Sequence, residues 1–99
     1  MALKIKSYLD INYRNKISLE DISHTFYLST KQLNRIFQKK YHITIVSYLK
    51  ELRYHSALAC LKTGGFSLRE AAVQCGFSGY QQLHRMLKTR EADPHKPVS

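Results

Sequence analysis

The sequence predicts an all-α domain in which two helix-turn-helix units are joined by a long linker helix. Apolar residues recur at helical spacing along most of the 99-residue chain, whereas the alternation expected of strands is sparse. Serine or threonine stands at the start of the helical patterns, where its hydroxyl can cap a helix. In addition, the pattern of residues 17–37 recurs about fifty residues later, which indicates a duplicated unit.

The composition indicates one small folded domain over residues 1–99 that favours polyanionic partners. Hydrophobic residues make up 43% of the chain, enough for a modest core. Sixteen Lys and Arg against seven Asp and Glu give a net charge of +9, which favours nucleic acid first and an acidic membrane surface second. No apolar run approaches membrane-spanning length and no signal peptide is recognisable, so we expect a cytoplasmic protein without a membrane partner.

The first unit is predicted over residues 2–41 and opens with a helix that ends near Tyr13. A second short helix is expected after Ser18, because Ser18 and Asp21 have the spacing of a capping box. The apolar face of the opening helix is predicted to carry Leu3, Ile5, Tyr8, Leu9 and Tyr13.

The first recognition helix is predicted over residues 29–41, after a tight corner at residues 27–29. Ser29 and Gln32 have the spacing of another capping box. One face of this helix is apolar, and the opposite face is basic and rich in amides. Two short helices with their apolar faces together, and a polar face pointing outward, are the layout of a helix-turn-helix.

The linker helix is predicted over residues 44–62, with Thr44 as its cap and two glycines after Thr63 as its end. At about 1.5 Å per residue it would be roughly 28 Å long. We expect it to present a single core-facing side, made of Ile45, Tyr48, Leu49, Leu52, Ser56, Cys60 and Leu61.

The second unit is predicted over residues 66–90, and it repeats the first at an offset of 49. Capping boxes recur as Ser67 with Glu70 and as Ser78 with Gln81. One inserted residue then raises the offset to 50 in the second recognition helix, predicted over residues 78–90. The tail at 91–99 has little apolar content, and we expect it to be frayed.

Taken together, these motifs resemble the DNA-binding domain of the AraC/XylS family of bacterial transcription regulators. The resemblance covers nearly the whole chain and rests on ISLEDIS, LSTKQLNRIFQKKY, ITIVSYLKELRYHSALACL, FSLREAAVQCGFS and YQQLHRMLK. It implies a homeodomain-like domain of about seven helices that places its two recognition helices in successive major grooves of double-stranded promoter DNA. It further implies RNA polymerase as a partner, a nucleoid-associated location and no cofactor.

Two positions depart from the family pattern at the ends of helices. Tyr27 stands in the first corner where the family usually has glycine, and we expect its side chain to resist a positive φ. His42 stands where glycine is usual after the first recognition helix.

The resemblance also assigns candidate contact residues on both recognition helices. Arginine suits the O6/N7 edge of guanine, asparagine suits adenine, and lysine suits guanine or phosphate. Gln81 has two open interpretations, because it could close the cap of its own helix or reach an adenine edge. The base-reading candidates are Lys31, Asn34, Arg35, Tyr80, Gln81 and Arg85. The phosphate candidates are Lys39, Lys40, Lys88 and Arg90, at the ends of the two helices.

The sequence contains no recognisable catalytic motif and no metal-binding motif, so we expect a protein that is not an enzyme and binds no metal. The five histidines are scattered without metal-ligand spacing, and no nucleophile constellation or phosphate-binding glycine loop is visible. Cys60 and Cys75 are interpreted as buried reduced thiols. One alternative stays open at this point: a helical protein-interaction module that kept the fold and lost DNA binding.

Overall fold

The computed structural model describes residues 1–91, and these form six helices and no strand. The helices are α1 (Ala2–Asn12), α2 (Leu19–Phe26), α3 (Thr30–Tyr41), α4 (Ile45–Lys62), α5 (Leu68–Gln74) and α6 (Tyr80–Glu91). The pairs α2–α3 and α5–α6 flank the long helix α4, which confirms the predicted all-α fold. The seventh helix implied by the family resemblance would fall within residues 92–99, outside the described residues, as does nearly all of the tail.

Three of the four predicted capping boxes form. In each, the serine hydroxyl accepts the backbone N–H three residues on, and that residue's side chain accepts the serine N–H; the pairs are Ser18 with Asp21, Ser29 with Gln32, and Ser67 with Glu70. The bond from the Ser18 N–H holds the pKa of the Asp21 carboxyl below its ordinary value. Bonds to Ser67 lower the pKa of Glu70 in the same way. Helix starts in this chain are therefore fixed locally.

The fourth predicted capping box, between Ser78 and Gln81, is wrong. Helix α6 begins at Tyr80, and the Ser78 hydroxyl lies 3.4 Å from the Oε1 of Gln82 instead. The cause is the inserted residue Gly79, which lies between Ser78 and the first helical residue and moves the helix start one position later. Gln81 is thereby left exposed and available to a ligand.

The linker helix α4 contributes to two separate cores, so the prediction of a single core-facing side is wrong. Ile45 and Leu49 are buried with the first unit, whereas Tyr54 and Ala57 are buried with the second. Tyr54 is five residues beyond Leu49, which places it about 140° around the helix axis at 3.6 residues per turn. The two units therefore pack on different sides of α4, one towards each end.

The opening helix α1 packs against the first unit with only part of its predicted apolar face. Ile5 and Leu9 are fully buried, but Leu3 is 67% exposed. The end of α1 also reaches the linker. Arg53 Nε donates to the Tyr13 carbonyl oxygen at 2.8 Å, and the Tyr13 hydroxyl donates to Ser56 Oγ at 3.0 Å. These bonds tie α1 to the middle of α4.

Candidate nucleic-acid interface

The corner of the first unit turns the polar face of α3 away from the core. Tyr27 takes a left-handed conformation with φ of 55°, so the resistance expected of its side chain does not prevent a positive φ here. The N–H groups of Tyr27 and Leu28 both donate to the Ser23 carbonyl, closing the end of α2. The Tyr27 side chain is 94% exposed, so it clashes with nothing. Burial of Ile22 and Leu33 outweighs a local strain of roughly 1–2 kcal/mol.

Helix α3 also ends in a residue with a left-handed conformation. His42 is left-handed with φ of 61°, and its N–H donates to the Gln38 carbonyl at 2.8 Å. This turn directs the chain into α4, whose first turn is capped by Thr44 through the Ser47 N–H at 3.1 Å. The orientation of α3 relative to the linker is thus set by two adjoining caps.

The outward face of α3 is a shallow concave surface, here called the first polar surface. It is lined by Lys31, Asn34, Arg35 and Gln38. The structure therefore brings together all three residues that the sequence assigned to base reading in this unit. Gln38 lines the same surface but is not among the site residues that the sequence indicated.

Asn34 has an additional role inside the protein. Its Oδ1 accepts the backbone N–H of Ile45 at 3.2 Å, and the side chain is half-buried. A two-bond contact to adenine requires that same oxygen as an acceptor. Asn34 therefore binds the start of α4, and a two-bond contact to adenine would have to share its Oδ1 with the Ile45 N–H.

The outward face of α6 is a matching surface, here called the second polar surface. Adding 50 to the four residue numbers of the first polar surface gives positions 81, 84, 85 and 88, all of which line the second. The repeat seen in the sequence is therefore a repeat of exposed surface. The second polar surface comprises Tyr80, Gln81, His84, Arg85, Lys88 and Thr89.

The residues of this surface that the sequence did not identify are His84 and Thr89, and Lys88 was assigned only to phosphate. The offset of 50 was visible in the sequence, and carrying it from Asn34 and Gln38 would have indicated His84 and Lys88. Tyr80 is half-buried against the core of the second unit, and the Arg69 guanidinium lies 4.5 Å from its ring centroid. That cation–π contact fixes the start of α6 on α5.

The four phosphate candidates do not share one environment. Lys39 and Lys40 are exposed in the last turn of α3, and Lys88 is exposed on α6. Arg90 instead forms a salt bridge with Glu51, and its guanidinium lies 4.1 Å from the ring centroid of Tyr54. Arg90 thus clamps the end of α6 onto the linker.

Both recognition helices concentrate positive charge. Helix α3 has four Lys or Arg and no acidic residue, and α6 has three against the single Glu91. An anion approaching either surface therefore meets a field of one sign. Among residues 1–91, no helix combines the length and apolar character needed to cross a membrane.

Comparison with known proteins agrees with this arrangement. A family model described as a helix-turn-helix domain matches residues 22–94. The chain is 31% identical over 91 residues to the HTH-type transcriptional regulator YijO of Escherichia coli; the match covers 91% of this chain and 32% of that protein. It is also 32% identical over 74 residues to the regulator GbdR of Pseudomonas aeruginosa, covering 75% of this chain and 20% of that one. The chain thus spans at most about a third of these two relatives.

The fold is also similar to a solved domain with bound nucleic acid. The DNA-binding domain of AdpA, in complex with a target DNA, superposes with a TM-score of 0.83 over 93% of this chain and 83% of that one, at 18% identity. Since the family model covers most of the sequence, the chain belongs to the AraC-type helix-turn-helix family, the DNA-binding domains of transcription regulators.

Proposed function

We propose that this chain binds double-stranded DNA sequence-specifically by placing α3 and α6 in successive major grooves of one promoter site. The observation that carries the proposal is the pair of equivalent polar surfaces, offset by 50 residues and held by one linker helix. The 18 residues of α4 make a rod about 27 Å long. Major grooves on one side of B-DNA recur about every 34 Å, so a spacer of this size suits two adjacent grooves.

Base reading falls to the exposed side chains on the two polar surfaces. Arg35 and Arg85 suit guanine, while Lys31 suits guanine or a nearby phosphate. Gln81, released from helix capping, suits the N6/N7 edge of adenine. Gln38 and His84 join the readers because they line the same surfaces.

Phosphate binding is assigned to Lys39, Lys40 and Lys88, which are exposed at or near the helix ends. We remove Arg90 from this set, because its guanidinium is engaged by Glu51 and Tyr54. Asn34 is likewise assigned to positioning α3 against α4 rather than to a two-bond adenine contact.

In the cell, the domain would act on promoters, which places it in the cytoplasm at the nucleoid, with RNA polymerase as the further partner. It acts by binding and performs no catalysis. The relatives extend well beyond the region that they share with this chain.

Selection from a random duplex library tests the function directly. We expect enrichment of sites with two conserved blocks about one helical turn apart, bound by fluorescence anisotropy far more tightly than random duplex. The double variant Arg35→Ala/Arg85→Ala should lose this preference. Lys4→Ala/Lys62→Ala removes the same charge from exposed positions elsewhere and should keep it. No enrichment and no binding even at low salt would favour the alternative, a protein-interaction module.

A further inference from the structure

Two free thiols from different helices meet beside the second unit. Cys60 lies in the last turns of α4 and Cys75 ends α5, and their sulfur atoms are 4.0 Å apart. The separation of fifteen residues gave no indication of this contact, because it depends on how α5 packs against the linker. The two thiols form a cluster that DNA binding does not use.

The two thiols have different surroundings. Cys75 is buried, its thiol donates to Ser56 Oγ at 3.2 Å, and burial raises the pKa of that thiol. Cys60 is only half-buried. Since the thiolate is the reactive form and needs access to the oxidant, Cys60 is the thiol that meets a small oxidant first.

We propose that Cys60 and Cys75 are a disulfide-forming site that responds to peroxide and covalently joins α5 to the linker helix. The Cys60 thiolate attacks hydrogen peroxide, giving Cys60 sulfenic acid and releasing hydroxide. The Cys75 sulfur then attacks the Cys60 sulfur, its thiol proton leaves with the displaced hydroxyl as water, and the S–S bond forms. Overall, two thiols are oxidised and one peroxide is reduced to two water molecules.

The geometry suits this reaction without unfolding. A disulfide needs its sulfur atoms about 2.05 Å apart, so the pair closes by about 2 Å, the scale of one side-chain rotation. The Cys75 thiol gives up its hydrogen bond to Ser56 as it turns. The segment between the cysteines includes Gly64 and Gly65, neither of which has a neighbouring atom within 4 Å of an added Cβ, so it has room to adjust.

Formation of this disulfide is expected to stabilise the second unit. Helix α5 supplies Ala71 and Ala72 to the core on which α6 rests through Leu83. A covalent link between α4 and α5 shortens the free chain of the unfolded state and raises the unfolding temperature. The inference is independent of the proposed DNA binding, and its test uses no DNA.

The test treats the full chain with hydrogen peroxide under native conditions, alkylates it with iodoacetamide and measures its mass. We expect the loss of two hydrogen atoms, no alkylation, monomer mobility on a non-reducing gel, and an unfolding temperature higher by about 5–15 °C. Dithiothreitol should reverse the mass loss, the block to alkylation and the rise in unfolding temperature. Two alkylated thiols after treatment, a disulfide between two chains, oxygen addition at Cys60 beside a free Cys75, or cross-linking only in urea would each overturn the proposal.

Variants with a single cysteine test which of the two thiols reacts with peroxide first. Cys75→Ser should accumulate a sulfenic acid on Cys60 that dimedone traps, and Cys60→Ser should leave Cys75 largely unreacted while folded. Neither should gain stability on oxidation. The reverse pattern of reactivity would overturn the assignment of Cys60 as the attacking thiol, and circular dichroism establishes that each variant is folded.

Discussion

Gly76 and Tyr13 meet backbone to backbone across the two halves of the molecule. A Cβ atom added to Gly76 would lie 2.5 Å from the Tyr13 carbonyl oxygen and 3.0 Å from the Arg14 Cα. Gly76 also has a φ of +89°. Glycine is therefore required at this position for two reasons: the positive φ of the turn and the close approach of the backbone at Tyr13. Since Gly76 belongs to the corner of the second unit and Tyr13 caps α1, this contact joins the two units directly.

Gly76→Ala should therefore destabilise the chain by about 2–4 kcal/mol, through a strained turn and an overpacked contact that backbone atoms cannot avoid. Urea unfolding followed by circular dichroism measures the change. Gly79→Ala is the matched control, because a Cβ there meets no atom within 4 Å; it should change stability by less than about 0.5 kcal/mol. Equal effects of the two substitutions would contradict the proposed contact.

The corresponding corner of the first unit should respond in the opposite direction. Tyr27→Gly should stabilise the chain by about 0.5–1 kcal/mol. The substitution removes the left-handed strain, and the free energy gained is larger than the entropic cost of the extra freedom that glycine gives the unfolded state. Tyr27→Ala is the control, since it removes the exposed ring but keeps the Cβ, and should bring no such gain. Thermal melts of the three chains distinguish strain from side-chain loss; a gain with alanine as large as that with glycine would rule strain out.

On α3, substitution of a base-reading residue and substitution of a phosphate-binding residue should have different effects on DNA binding. Arg35→Ala should weaken binding to a selected site by about 1–3 kcal/mol and relax one base position. Lys39→Ala should weaken selected and random duplexes equally, since a phosphate contact carries no sequence information. Binding measured on both DNAs decides the matter: if the two variants have the same ratio of selected to random affinity, the reading face has been misplaced.

Salt should weaken DNA binding steeply. With roughly six phosphate contacts, the logarithm of affinity is expected to fall against the logarithm of salt concentration with a slope of about −5. Lys39→Ala should make the slope shallower by about 1. Arg90→Ala should leave it unchanged, because its charge is paired with Glu51. A slope that Arg90→Ala reduces as much as Lys39→Ala would return Arg90 to the phosphate-binding set.

Acid should weaken the start of α5 through one capping carboxylate. The folded-state pKa of Glu70 lies below its ordinary value, so its contribution to stability is present above that value and disappears as the pH falls through the folded pKa. Glu70→Gln should retain the cap, as Gln32 does for Ser29, and should lose that part of the pH dependence. Melting temperatures from neutral pH to about pH 3 provide the comparison; identical curves for the two chains would count against the effect.

The helix starts could be predicted from sequence because they depend on bonds between neighbours in the chain. Ser18, Ser29, Thr44 and Ser67 cap their helices as expected, through backbone N–H groups only three residues away. The exception is Ser78, where a single inserted glycine outweighed the pattern.

What escaped prediction depends on contacts between distant segments. Tyr54 was not assigned to a core because only the docking of the second unit buries that side of α4. Asn34 and Arg90 were interpreted as ligand contacts because their partners, Ile45 and Glu51, lie on another helix. The sequence therefore indicated which helix faces are polar, whereas the contacts of Asn34 and Arg90 inside the protein could be seen only in the tertiary structure.

The 50-residue offset between the two polar surfaces has a consequence for orientation. Of the four equivalent pairs of positions, only Arg35 and Arg85 have the same side chain. In the other three pairs, Lys31 corresponds to Gln81, Asn34 to His84, and Gln38 to Lys88. The chain therefore presents two different polar surfaces in a fixed order. Under the proposed function, a DNA site and its inversion are not equivalent for this chain. On a promoter, the direction of the site would therefore set which end of the domain points downstream, and one copy of the domain is enough to distinguish the two directions.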